Sequence, residues 1–337
     1  MKRNNLFTAF FVLLTMALLS SCANKVDINA DYKDISIAYG LLDASQTRHY
    51  VKFTKAFQTN NNVVVAAKDP SKSQYNPDNI EMWLEEYRNG SAIRRINMDT
   101  LLITDKDSGI FYYPNQIVYA TPEGTVLNQN SEYRFKAKIK STGKIVEAST
   151  NMVHDFSIVR PISLAKYLDF SGNYMHTVEW RSAKNGKLYQ LVIRFYYTDI
   201  SAYGIKTSHY VDWVFPQIKS QRTDGGEKMK YDFMGSSFYS ILKEKIPAAL
   251  SGQKRWADSL YYIFEVADEN FSVYMDVSAP ASSIVQERPS YSNISNGIGL
   301  FASRYQKKRF FEGLMPQSLD TLYHGSKTYS LGFEKRP

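Results

Sequence analysis

Over most of the chain apolar and polar positions alternate with the period of a β-strand, and long helical periods are few. Residues 132–140 are the clearest case. Tyr133, Phe135, Ala137 and Ile139 fall on one side, and Arg134, Lys136, Lys138 and Lys140 on the other. Successive strand side chains point to opposite faces, so this segment reads as a strand with one buried and one wet face. Further strands are expected at residues 35–42, 50–57, 80–87, 93–96 and 144–150. Asn89-Gly90 joins two of them as a hairpin turn, and Thr142-Gly143 turns between the last two. Residues 63–67 are short and apolar, and residues 68–79 read as a polar loop with Pro70 and Pro77. Short strands separated by turns predict a β-sandwich.

Arg160-Pro161 breaks the pattern, and a domain boundary is placed at 157/158. Beyond it, strands are expected at 174–180 and 187–198, paired through Asn185-Gly186, and at 209–215, 260–266, 298–305, 309–312 and 328–333. Residues 236–246 carry Phe238, Ile241 and Leu242 near helical spacing, and Pro247 ends them, so a helix is expected. Residues 269–277 read as either a short helix or a strand. The fold expected is mainly β, with two β-sandwich-like domains over residues 31–157 and 158–337. One or two short helices fall in the second.

Composition supports this class. With 25 Tyr and 19 Phe, the chain is rich in side chains that suit a pleated, half-buried surface. The formal net charge is +8, spread along the chain; there is no dense basic block and no nucleic-acid motif, so no nucleic-acid partner is expected.

The first residues follow a different pattern. Lys2 and Arg3 precede an apolar run to Leu19, then Ser20, Ser21 and Cys22, the only cysteine. Charge, apolar core and small residues in that order make a secretory signal over residues 1–21. The run is short of the roughly 20 residues that a membrane-spanning helix needs. Leu19-Ser20-Ser21-Cys22 resembles the bacterial lipobox, which implies that Cys22 becomes a lipidated N-terminus followed by a tether over residues 22–30. With Cys22 acylated no thiol remains for a disulfide, so the fold must hold by its core.

Candidate chemistry is sparse. His49, His154, His176, His209 and His324 show no metal-ligand spacing, and His176 and His209 sit in strand patterns. There is no Gly-x-Ser-x-Gly elbow. Ser141-Thr142-Gly143-Lys144 lacks the leading glycine of a phosphate loop, and Asp105-Lys106-Asp107-Ser108-Gly109 departs from a calcium loop at the glycine and at Gln116. The adjacent pairs Glu85-Glu86 and Asp268-Glu269 would point to opposite faces of a strand. No enzyme activity, metal or cofactor is therefore expected, and a hydrolase site assembled from scattered residues is the least favoured reading. Among the tryptophans, Trp180 and Trp213 lie in apolar strand patterns, whereas Trp256 has polar neighbours and is the candidate for stacking on a glycan.

The tail carries a resemblance. Tyr291-Ser-Asn-Ile-Ser-Asn-Gly-Ile-Gly-Leu-Phe301 contains an Asn-x-x-x-Gly-x-Gly-x-Phe motif through Asn293, Gly297, Gly299 and Phe301. Together with the lipobox and the Tyr133-Arg-Phe-Lys-Ala137 strand, it resembles a family of uncharacterised Bacteroidetes lipoproteins, a domain of unknown function. The resemblance implies an immunoglobulin-like first domain and an outer-membrane lipoprotein often partnered with TonB-dependent receptors; it implies no chemistry. From the residues alone, Asn296-Gly297 suits a turn with positive φ, and Gly299 suits a close backbone approach. The function expected is a lipid-anchored envelope protein presenting an interaction surface to an outer-membrane receptor or transporter. The alternative is a glycan- or nutrient-binding lipoprotein. Asn24-Lys25-Val26-Asp27 lacks an acidic run, which favours the periplasmic face over the cell surface.

Overall fold

A computed structural model describes residues 34–59, 62–109, 111–172, 174–279 and 290–337. The signal segment, Cys22 and the tether lie outside the described residues. The described chain is mainly β and forms two β-sandwich-like domains.

The first is built from β1 (Ser36–Asp43), β2 (Tyr50–Lys55), β3 (Ile80–Arg88), β4 (Ser91–Ile103), β5 (Gln116–Ala120), β6 (Glu132–Ile139) and β7 (Ile145–Asn151). The first half of β4 pairs with β3 and its second half with β5, so this strand passes from one sheet to the other. The sheets therefore run β1-β2-β5-β4 and β4-β3-β6-β7, the immunoglobulin-like arrangement. At the start of β6 the Tyr133 hydroxyl accepts from the Asn128 amide at 2.8 Å, pinning the corner that leads into the strand. Tyr133, Phe135, Ala137 and Ile139 are all buried, as their alternation requires. Between β2 and β3 the short apolar run forms α1 (Val63–Ala67), and where a loop was expected over residues 68–79 the chain makes α2 (Pro70–Ser73) and a 3-10 turn (Pro77–Asn79). Asn62 and Asp69 cap the two helices with side-chain oxygens, and Val63, Val64 and Val65 stay exposed.

The second domain contains β8 (Ile158–Arg160), β9 (Tyr167–Leu168), β10 (Met175–Arg181), β11 (Leu188–Ile200), β12 (Lys206–Val214), β13 (Ile218–Lys219), β14 (Lys228–Met234), β15 (Lys254–Ala267), β16 (Gly297–Phe311) and β17 (Gly313–Leu314). Its helices are α3 (Gly235–Lys245), α4 (Glu269–Ser278) and α5 (Pro316–His324). One sheet runs β12-β11-β15-β16 and a smaller one β14-β10-β8. Trp180 of the small sheet meets Phe264 of the large one at 5.1 Å and Tyr231 at 5.2 Å, at the centre of the second core.

Four expectations for this half are corrected. Asn185-Gly186 does not close a hairpin: β10 pairs with β14 and β8, β11 with β12, β13 and β15. The turn, with Asn185 at φ 62°, instead carries the chain from one sheet to the other, because Trp180 and Tyr189 enter the same core from opposite sides. Residues 298–305 and 309–312 are one strand, β16. Among the described residues the domain has three helices, not one or two; α5 was not foreseen, and residues 329–331 form a 3-10 turn where a strand was expected.

Strand β16 belongs to both domains. Its first half lies parallel to β1, from Ser36↔Gly297 to Asp43↔Arg304; its second half is antiparallel to β15, from Ala267↔Arg304 to Leu260↔Phe311. Ile294 and Phe301 are buried in the first core, whereas Val153 and Phe156 already belong to the second. Just before β16 Ser295 bridges Glu147 of β7, so the tail closes the gap between the two sheets of the first sandwich. At the junction the buried Asp268 carboxylate accepts from Thr150 Oγ1 at 2.8 Å, the Ser303 amide at 2.9 Å and the Phe271 amide at 2.9 Å, capping α4. Burial pushes its pKa up despite these donors.

Candidate functional site

The large sheet of the second domain buries one face: Leu191, Ile193, Phe195, Tyr262, Phe264 and Phe311 point into the core. The strand period therefore sends Arg194, Tyr196, Tyr261, Ile263, Lys308 and Phe310 to the other face. An outer sheet face is usually polar; here aromatic rings interrupt the charged positions. Cross-strand register places Tyr196 beside Tyr210 and Tyr261 beside Phe310. Tyr196 also reaches Tyr261 on the diagonal. Ring centroids are 5.7 Å apart for Tyr210 and Tyr196, 5.9 Å for Tyr196 and Tyr261, and 5.2 Å for Tyr261 and Phe310. The result is a row of four aromatic rings across β12, β11, β15 and β16. Its two ends are open, with Tyr210 54% and Phe310 52% exposed.

Arg194 frames the row. Its guanidinium makes a two-pronged ion pair with Asp212 at 2.7 and 2.8 Å and lies 4.1 Å from the centre of the Tyr210 ring. The hydrogen bonds from Arg194 to Asp212 raise the arginine pKa further, so the group is cationic at every accessible pH. Beside the row, Arg194, Tyr196, Ser259, Tyr261, Ile263 and Lys308 line a shallow depression of about 380 Å³. The arrangement offers flat apolar rings, hydroxyls at their tips and a guanidinium held in place, features that suit binding.

The sequence-derived candidates lie elsewhere. Trp256, on β15, is half-buried: Lys206 Nζ sits 4.7 Å from its ring centre and the Arg336 guanidinium 5.1 Å. Two cations thus lie against the ring, and the indole Nε1 is buried without a hydrogen-bond partner. Trp180 is fully buried, and Trp213 is partly buried, packing on Phe215 at 4.6 Å. His176 stacks on Phe233, and His209 lies 3.4 Å from Asp199. Glu85 and Glu86 do face opposite ways: Glu86 is buried with Ser131, Arg88 and Arg94, while Glu85 meets Trp83, Tyr87 and Lys136. Among the described residues no group of three His, Cys, Asp or Glu side chains is placed to hold a metal ion. No helix among them is long and apolar enough to cross a membrane.

The tail motif has a structural explanation. Asn293 spans the entry to β16, its Nδ2 donating to the Phe301 carbonyl at 2.7 Å and its Oδ1 accepting from the Phe301 amide at 2.9 Å. Asn296 takes φ 58°, and Phe301 packs 5.7 Å from Phe135 in the first core. Gly299 has φ 125°, and a Cβ there would lie 1.9 Å from the Ala38 carbonyl oxygen, so only glycine permits this approach to β1. The motif docks the tail onto the first domain.

No family model and no curated protein matches the chain. A solved structure with a likeness is the C-terminal globular domain of an oligosaccharyltransferase from Pyrococcus abyssi, 12% identical, with a TM-score of 0.22 over 63% of this chain and 43% of that one. The likeness thus spans less than half of that structure, and it carries no argument about function.

Proposed function

We propose that this chain is a lipid-anchored protein of the bacterial cell envelope, held to the outer membrane at its periplasmic face through an acylated Cys22. It acts by binding rather than by catalysis, as an accessory to an outer-membrane receptor or transporter of the TonB-dependent kind. The observation that carries the reading is the aromatic row Tyr210–Tyr196–Tyr261–Phe310 with Arg194 at its side. Tyrosine and arginine dominate the energetic centres of protein interfaces, and a contiguous apolar face on an otherwise wet sheet marks an interaction surface.

The test is purification of the tagged full-length chain from membranes in mild detergent, beside a variant carrying Tyr196→Ser and Tyr261→Ser. The expected result is a β-barrel protein at near equal amount with the parent chain and its loss with the variant. A barrel retained by the variant, or none with either, ends the receptor reading. If Cys22→Ser left the processed chain in the membrane fraction, the anchor would have to be abandoned.

A second reading, a glycan laid along the same row, is favoured by ring spacing. Successive rings along the row are 5.2–5.9 Å apart, a spacing that a chain of sugar rings can track. Saturable glycan binding by the purified chain, lost in the same double variant, would replace the receptor with a polysaccharide.

A further inference from the structure

The outer face of the first domain holds a different feature, independent of the aromatic row. On β1 and β2, Ala38 and Phe53 point into the core, so their neighbours Tyr39 and Lys52, paired in register, point outward. Two insertions rise over this face. One is the α1–α2 segment, tied to β2 by the bridge of Gln74 to Thr54. The other connects β4 to β5; within it Lys106 Nζ donates to the Tyr112 carbonyl at 2.6 Å, and the Tyr112 amide donates to the Ala67 carbonyl at 3.1 Å. Between them lies a cleft of about 300 Å³, to which Tyr39, Lys52, Lys55, Lys106, Phe111 and Tyr112 contribute.

Its charge is one-sided. Among the described residues none of the three lysines is ion-paired with a carboxylate, and Asp105 and Asp107 flank Lys106 on the exposed side of the chain. Lys52 is half-buried; its pKa is lowered first by that burial and then by the Lys106 ammonium. Two amines thus face one cavity and repel each other, an arrangement that an anion between them would relieve. The apolar part of the lining is mostly aromatic. The volume falls at the lower end of ligand pockets, roughly 300 Å³ and upward, which suits a ligand of one or two rings.

We propose that this cleft binds a small ring compound bearing an anionic group, of the acidic or phosphorylated sugar class. Lys52 and Lys106 hold the anion, and the aromatic side chains flank the ring. The ligand can be a free acidic sugar or the terminal residue of an acidic glycan; both present the same chemistry.

The experiment is calorimetric titration of the detergent-solubilised full-length chain with glucuronate, glucose 6-phosphate, glucose, inorganic phosphate and a glucuronate-terminated oligosaccharide. At least one charged sugar is expected to bind about tenfold or more tighter than glucose, since charge-assisted hydrogen bonds are the strong ones. Lys52→Gln and Lys106→Gln should each weaken that binding by about tenfold, and Lys52→Arg should restore most of it. Tighter binding of the oligosaccharide than of glucuronate would assign the glycan end; equal binding would assign the free sugar. In the unmodified chain, amine acetylation read by mass spectrometry should show Lys52 and Lys106 protected by the bound sugar, a readout that does not depend on any variant folding. The proposal is overturned if no charged sugar binds, if glucose binds as well, if inorganic phosphate alone accounts for the affinity (an adventitious ion only), or if Lys52 and Lys106 remain unprotected.

Discussion

Asp169 does more than its half-exposed position suggests. Its Oδ1 accepts from the Ser171 amide at 2.9 Å, the Ser171 hydroxyl at 2.6 Å and the Ser318 hydroxyl at 2.8 Å, while Oδ2 accepts from the Tyr174 hydroxyl at 3.0 Å. Partial burial pushes its pKa up; the donors, Ser171 first, outweigh that and pull it from 3.8 to about 2. The folded value is thus depressed, so the stabilisation is complete above the ordinary value and is lost as pH falls from there toward 2. Asp169→Asn should cost on the order of 1 kcal/mol near neutral pH, discounted for solvent access. Denaturant melts across the acid range should show the gap between parent and variant closing toward pH 2, and a gap that persists there would refute the assignment. At this scale the half-buried position of Trp256 was not legible in the sequence. Its local neighbours are polar, yet the side chains that cover its ring, Lys206 and Arg336, come from distant segments. Of the donors to Asp169, Ser171 and Tyr174 are local, but Ser318 was hidden for the same reason, since it arrives on a helix far along the chain.

Among the elements, β6 was legible because it has one wet face, and α3 because its apolar period and Pro247 agree. The Asn185-Gly186 turn was also legible as a turn; what a turn cannot encode is which sheet the next strand joins. The aromatic row was not legible at all. It depends on the register of four strands, and each of its residues, taken alone, is an ordinary outward position. Strand β16 allows a direct test of element docking. Gly299→Ala combines positive φ with a clash against the Ala38 carbonyl and should cost more than about 2 kcal/mol. Gly143→Ala shares the positive φ (72°) but meets open space, and should cost only about 1–2 kcal/mol. Thermal melting of both variants would show the larger loss at Gly299; equal losses would mean that contact with β1 contributes nothing.

For the molecule as a whole, the buried cores divide between Met152 and Val153, and the returning tail adds Ile294 and Phe301 to the first. A fragment of residues 31–157 would lack β16 beside β1, Phe301 and Ile294 in its core, and the Ser295 bridge to β7. An unpaired β1 edge invites association with other chains. Such a fragment is therefore expected to aggregate or to melt well below the full chain, and adding residues 290–311 through a flexible linker should recover a soluble, cooperative fold. A monomeric fragment as stable as the parent would show that the tail is only an ornament.

The shared strand also sets an order in time. A chain leaves the ribosome from its N-terminus, and domains ordinarily finish in that sequence. Here the N-terminal sandwich cannot be completed until residues 294–301 have been made, by which point most strands of its neighbour already exist. The half that is synthesised first must wait until most of the other has been made, and during that wait its open seam depends on whatever attends the nascent chain.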